Sequence, residues 1–232
     1  MWCELKTRIS SANIDALLQR AKSHLSTTDS KEVASSGKDF FGGDDVENNN
    51  FDLLQSFHRE IWPELAHRTG FEQPVVDHCY LLVKNPSGEF TRLHQDRPYW
   101  VRKDPEPSIL SVWIALDEIS EHNGGLILSD ENKVGLDELP SFNSGAMLEH
   151  LPSNAESASF TLLIPEDTAA EMAKSMQPVT MAKGDAIVFD SFEPHMSSAN
   201  NSDKPRLGMK IAYGEGTGRQ YYMMSVDELE SL

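Results

Sequence analysis

His94-Gln95-Asp96 closes a strand-like run that begins at Thr91, and ninety-nine residues later it is answered by His195 and then by Arg206. Residues i and i+2 of an extended strand point to the same face. His94 and Asp96 are therefore expected to reach one metal together while Gln95 turns away. A third ligand has to come from elsewhere, and His195 stands at the end of another strand-like run. Two imidazoles and one carboxylate are the ligand set of a mononuclear non-haem iron(II) centre, which keeps coordination positions open for substrates. Arg206 is placed to hold a carboxylate through its guanidinium fork. Metal and anion sites together point to an oxidation driven by an oxo-acid co-substrate.

Outward from that stretch the chain reads as short strands at 75–84, 91–96, 108–117, 125–128, 159–164, 186–190 and 206–212. Turns rich in Gly, Pro, Asn and Asp separate them, such as Asn85-Pro86-Ser87-Gly88. Upstream, Ile14, Leu17, Leu18, Ala21 and Leu25 recur at helical spacing over 12–25, with Ser11 or Asn13 available as N-cap. A second helix is expected over 51–67, where Pro63 should kink it or open a new first turn. Residues 26–50 read as a polar loop, and 129–156 lack clear periodicity apart from a short helix near 136–139. A further helix is expected over 165–176. Many short strands after a helical start predict a mainly β, two-sheet jelly roll buttressed by helices on one side. The chain carries no internal repeat, so 1–232 reads as one domain, with a helical segment at about 1–70 and a jelly-roll core at about 75–215.

Composition narrows the function. With 37 acidic against 20 basic residues, the formal charge is −17. Such a surface repels phosphate backbones and anionic headgroups, which argues against nucleic acid and membrane as partners. The longest apolar runs are too short to span a bilayer. No basic segment followed by an apolar stretch opens the chain, and two cysteines, Cys3 and Cys79, give no disulfide framework. A cytoplasmic, reducing setting is the expectation. Against the acidic background, Arg92, Arg97, Arg102 and Lys103 crowd around the His94/Asp96 pair. That crowding reads either as a solvated strand edge or as a funnel for an anionic small molecule. Tyr80 and His78 precede the metal motif on a strand, and Tyr99 and Trp100 follow it. Each either lines the substrate pocket or packs the core. Asn123-Gly124-Gly125 reads as a tight turn that needs positive φ.

A longer series of motifs extends this. Leu93-His94-Gln95-Asp96 is followed by Val112-Trp113-Ile114-Ala115-Leu116-Asp117 and by Glu121-His122-Asn123-Gly124-Gly125-Leu126. A later block holds Lys183-Gly184-Asp185, Phe189-Asp190, His195-Met196-Ser197, Asn200, Lys204-Pro205 and Arg206. The series resembles the phytanoyl-CoA dioxygenases, in their order and spacing, over more than half of the chain. The resemblance implies a double-stranded β-helix that binds iron(II) and 2-oxoglutarate and reacts with O2. It implies His94, Asp96 and His195 as metal ligands and Arg206 as partner of the distal carboxylate of 2-oxoglutarate. Ser197 would stand beside that carboxylate, and Trp113 would line the co-substrate pocket. In related halogenases Gly or Ala replaces the carboxylate ligand, so Asp96 implies hydroxylation, with release of succinate and carbon dioxide.

One departure bears on the substrate. Where relatives carry a Pro-Gly-Ser-His turn, this chain has Leu128-Ser129-Asp130-Glu131. The expectation is a dioxygenase acting on a small polar or anionic metabolite, such as an amino acid or biosynthetic intermediate. Arg97, Tyr99, Trp100 and Tyr80 are the candidate substrate residues, and 26–50 and 129–156 are candidate lids. Two alternatives stay open: a cupin-like metalloenzyme that does not use 2-oxoglutarate, and a non-catalytic binding protein on the same fold.

Overall fold

Alternation is the local rule from which the architecture grows: successive strand side chains point to opposite faces, so one strand can build a core and a site at once. The computed structural model describes residues 1–25, 34–35, 40–41, 50–101, 103, 105–138, 145–152 and 162–232. In chain order the elements begin β1 Trp2–Glu4, α1 Ser11–Leu25, β2 Ala34–Ser35, α2 Phe51–Thr69, β3 Pro74–Lys84 and β4 Thr91–His94. Next come β5 Ile109–Ala115, β6 Leu126–Ser129, β7 Leu151–Pro152, β8 Leu162–Leu163, α3 Glu166–Met172 and β9 Met176–Pro178. The last are β10 Ala186–Asp190, β11 His195–Ser197, β12 Arg206–Glu215, β13 Met224–Ser225 and α4 Val226–Ser231.

A major sheet runs β1-β10-β5-β12-β3-β13, with β2 also on β3; a minor sheet runs β4-β11-β6-β9. Every pairing is antiparallel. The outer face of the major sheet carries Leu110, Val112 and Ile114 of β5 with Met209, Ile211 and Tyr213 of β12. They pack with Ile14 and Leu17 of α1 and Leu54, Phe57, Ile61 and Leu65 of α2. Between the sheets lies a second cluster in which Trp113, Ile187 and Phe189 meet Leu126 and Leu128 of the minor sheet. The mainly β jelly roll with buttressing helices is thus the architecture found.

The helices follow their apolar spacing, with two differences. Residue Pro63 lies inside α2 without opening a new turn. It sits on the solvent face, where water can satisfy the carbonyl that loses its donor. Gly70 then ends the helix in the left-handed region at φ 65. The helix expected over 165–176 stops at Met172, continues as a 3₁₀ turn over Ala173–Ser175, and gives way to β9. The segment read as helical at 1–70 also contains β1, three residues paired with β10 and too short to show a period. Of the strand expected at 159–164, Leu162–Leu163 is found and 159–161 lie outside the described residues. No helix among the described residues is long and apolar enough to cross a membrane.

Candidate metal and anion site

The strand carrying the first motif ends sooner than its pattern suggests. β4 stops at His94, and Asp96 sits in helical backbone at φ −75, ψ −25, leading into a 3₁₀ turn over Arg97–Tyr99. His94 and Asp96 therefore converge through a turn and not through strand parity. Pro98 at the head of that turn favours the break. Gln95 does face away, as expected. Its amide donates to the carbonyls of Ala146 and Phe192 and accepts from the Leu148 N–H at 2.9 Å. His150 Nε2 accepts from the Gln95 N–H at 3.3 Å, so this histidine braces the turn. Together these bonds pin part of 145–152 to the motif; 26–33, 36–39, 42–49, 139–144 and 153–156 of the candidate lids lie outside the described residues.

β11 brings the third group alongside: His195 is the register partner of His94, at the start of its strand and not at the end of one. One ligand atom each from His94, Asp96 and His195 lies within 4.8 Å of the others, and all three residues are buried. The two imidazole centroids are 4.2 Å apart, and His195 Nε2 stands 4.0 Å from Asp96 Oδ1. Each imidazole donates Nδ1–H to a backbone carbonyl, His94 to Arg92 at 2.8 Å and His195 to Glu193 at 3.0 Å. That fixes the tautomer and leaves Nε2 as the nitrogen a metal would take.

Electrostatics keep the set ready for a cation. Burial, reinforced by the neighbouring His195, pushes the His94 imidazole down to about 3, and burial also lowers His195. Burial works the other way on Asp96, but the Lys210 charge outweighs it, with help from the flanking imidazoles, and holds the carboxyl below its ordinary range. Neutral imidazoles and an ionised carboxylate are the states a metal requires. Asp96 is also held from behind: its Oδ2 accepts from Lys210 Nζ at 2.5 Å and from Ser111 Oγ at 3.4 Å.

The second half of the site lies further along β12. Arg206 is 2% exposed, and its Nε and Nη1 have no hydrogen-bond partner among the described residues. Its guanidinium lies 5.4 Å over the Trp113 ring. Gly208 makes room for that indole, because a Cβ there would stand 2.6 Å from it. Across the strand pair Arg206 faces Lys84, which is fully buried. Lys84 Nζ donates to Ser197 Oγ at 2.7 Å, to the Ser198 carbonyl at 2.6 Å and to Thr91 Oγ1 at 3.4 Å. Burial, with help from the Arg206 charge, brings its amine down to about 7, and burial brings Arg206 down to about 10. Gly124, at φ 93, lets the Lys84 stem pass, since a Cβ there would lie 2.5 Å from Cδ. That is the positive φ expected of the Asn-Gly-Gly turn.

The remaining candidates separate. Trp100 is buried, with its ring stacked on His78 at 5.7 Å, and His78 stacks on Tyr80 at 4.5 Å. Tyr99 is 40% exposed. Arg97 is held within the chain. Its guanidinium is buried, bonded to Glu106 and the Pro107 carbonyl and laid over the Phe192 ring, so its charge is neutralised within the chain. Arg102 lies outside the described residues. The inward cations are instead Lys84 and Lys210, neither of which the sequence reading singled out. A signal was available: 206, 208 and 210 share one strand face, so a lysine four residues after an inward arginine also points inward.

Similarity to known proteins agrees with this geometry. The family model described as phytanoyl-CoA dioxygenase (PhyH) matches residues 3–208. A 2-aminoethylphosphonate dioxygenase from the uncultured bacterium HF130_AEPn_1 is 27% identical over 154 residues, covering 65% of this chain and 51% of its own length. The chain thus spans about half the length of the curated relatives it matches. Among solved structures, EvdO2 from Micromonospora carbonacea var. aurantiaca superposes with a TM-score of 0.63 at 18% identity, over 92% of this chain and 86% of that one. EctD from S. alaskensis, solved with 2-oxoglutarate and 5-hydroxyectoine, does so at 0.55 and 18% identity, over 94% and 73%. At such identities the likeness establishes the fold.

Proposed function

The chain belongs to the phytanoyl-CoA dioxygenase family, and from that premise we propose that it is an iron(II)- and 2-oxoglutarate-dependent dioxygenase that hydroxylates a small molecule. One observation carries the reading: a buried guanidinium with two nitrogens unpartnered among the described residues stands beside a second buried cation, on the strand face whose Lys210 bonds Asp96 of the His-Asp-His cluster. An unpaired buried charge is costly, and a carboxylate between Arg206 and Lys84 would offset that cost.

The donor set fits both groups. His94 and His195 would hold the iron through Nε2 and Asp96 through Oδ1, while Lys210 and Ser111 keep Oδ2 in place. Iron(II) with 2-oxoglutarate and O2 supplies the oxidation, one oxygen atom going to the substrate and the other to succinate as carbon dioxide leaves. Arg206 would take the distal carboxylate of 2-oxoglutarate through the fork its free nitrogens offer. Lys84 has its three donors engaged, so it acts through charge and through Ser197. By donating to Ser197 Oγ, it leaves the hydroxyl proton of Ser197 to point at the same carboxylate. Trp113 covers the guanidinium and excludes water from that end.

The substrate we infer is a small polar or anionic metabolite, because Lys210, bonded to Asp96, and His78 lie further along the inner sheet face from Arg206. The relative named for 2-aminoethylphosphonate oxidation acts on a molecule of that kind. A metalloenzyme that ignores 2-oxoglutarate, or a binding protein on this fold, would leave Arg206 and Lys84 without an anion. Succinate release tests the reading: iron-loaded protein should convert 2-oxoglutarate to succinate, faster with a substrate from a screen of small acids. Substrate turnover without the oxo-acid would overturn it.

A further inference from the structure

Opposite the Arg206 end, the inner face of the major sheet carries a group that the iron and the oxo-acid leave unused. β3 and β12 slip register between Ala212 and Tyr213: Ala212 pairs with His78, but Tyr213 pairs with Val76. Asp77 is the extra residue of a β-bulge. Outward positions on β3 jump from Val76 to Cys79, so Asp77 and His78 both turn from the helix-packed face. Bulges re-aim side chains in this way beside active sites.

The bulge lets His78 Nδ1 donate to its own neighbour, Asp77 Oδ2, at 2.9 Å. Asp77 is in turn fixed by Arg219 and by Trp100 Nε1 at 3.3 Å. A carboxylate only accepts, so Nδ1 carries the proton and Nε2 is left with its lone pair. That Nε2 is buried and has no hydrogen-bond partner among the described residues. Burial, joined by the Lys210 charge, lowers the His78 imidazole despite Asp77, which favours the neutral ring. The residue that pairs with Tyr80 in the next row of the same face is Lys210. Its only hydrogen bond among the described residues goes to Asp96, so two of its three donors are open.

We propose that His78 and Lys210 together read the substrate: His78 Nε2 accepts a hydrogen bond from an ammonium or hydroxyl group, and Lys210 holds an anionic group. The ligand class is then a small amino acid or hydroxy acid, its carboxylate or phosphonate toward Lys210 and its donor toward the Asp77–His78 pair. This rests on the reading that the cavity beside the iron ligands takes the oxidised substrate.

The test uses the full chain loaded anaerobically with iron(II), titrated by calorimetry first with 2-oxoglutarate. Amino and hydroxy acids of two to five carbons follow, with 2-aminoethylphosphonate, each beside the partner that lacks the amine or hydroxyl. On the native protein at least one two-group acid should bind tenfold or more tightly than its stripped partner. His78→Phe, which keeps a ring against Tyr80 and Trp100, should erase that advantage and leave binding of the stripped acid unchanged. Lys210→Met should weaken the two-group acid and the stripped acid alike. A panel in which no two-group acid exceeds its partner overturns the proposal, whether or not either variant folds. So does a His78→Phe protein that keeps the difference. Failure of 2-oxoglutarate itself to bind would instead sink the proposed function.

Discussion

Along β12, Met209, Ile211 and Tyr213 face the helices, while Arg206, Gly208, Lys210 and Ala212 face the minor sheet. One strand thus serves two surfaces by parity alone. The outer set is apolar and close-packed, and it holds the fold. On the inner set lie two buried or half-buried cations and a glycine that yields to Trp113. The contrast teaches where stability and chemistry are kept apart. Trimming the outer face should cost folding energy and spare ligand binding; trimming the inner face should do the reverse.

The largest effect should come from Asp96→Ala. Succinate formation should fall to background, and the midpoint of thermal unfolding should fall as well, because Lys210 loses the buried carboxylate that pairs its charge. Retained activity would remove Asp96 from the iron site. Arg206→Met comes next. Its 2-oxoglutarate affinity should fall by about 2–5 kcal/mol, the usual loss on truncating one partner of a buried charge pair. The same variant should unfold at higher denaturant in the absence of ligand. Burial depresses the arginine pKa, so the charged form is disfavoured in the folded chain, and removing it relieves a cost. Calorimetry and a denaturant titration check the two halves.

Ile211→Ala supplies the mirror image. Denaturant unfolding should show a loss of about 2–5 kcal/mol for a fully buried aliphatic side chain. Its 2-oxoglutarate affinity should be unchanged, and a parallel loss of affinity would break the division between faces. The last effect concerns pH, and per unit it is the smallest. The Lys84 amine titrates at about 7 in the folded chain against an ordinary 10.5. Its positive charge therefore costs stability fully below pH 7, and the cost fades as pH rises toward 10.5. A carboxylate beside Lys84 restores the proton. From pH 7 to 9 the affinity for 2-oxoglutarate should thus fall by about tenfold per unit, with one proton taken up on binding. Calorimetry in buffers of different ionisation enthalpy measures that uptake, and Lys84→Met should flatten the slope.

Much of this was legible in the residues. The strand-like runs at 75–84 and 206–212 and the helical spacing at 12–25 mark elements that the fold contains. The His94, Asp96 and His195 cluster and the inward Arg206 follow from motif spacing. What stayed hidden arises from tertiary context. Pro98 is the one local hint that β4 ends early, and the turn that swings Asp96 inward is held by bonds from Gln95 to residues fifty and more positions away. Arg97 looked like a cation for the substrate because its neighbours in sequence are basic, yet its partners are Glu106 and Pro107. Lys84 reads as the polar end of an apolar strand until the fold sets it against Arg206. The Asp77 bulge breaks the alternation that sequence reading assumes, and so His78 could not be assigned a face.

The most direct test of the central claim is anomalous diffraction at the iron edge from crystals grown anaerobically with iron(II) and 2-oxoglutarate. The account predicts one iron bound by His94 Nε2, Asp96 Oδ1 and His195 Nε2, with the distal carboxylate of 2-oxoglutarate on Arg206 and Ser197. Iron bound elsewhere, or an oxo-acid whose distal carboxylate avoids Arg206, would contradict it.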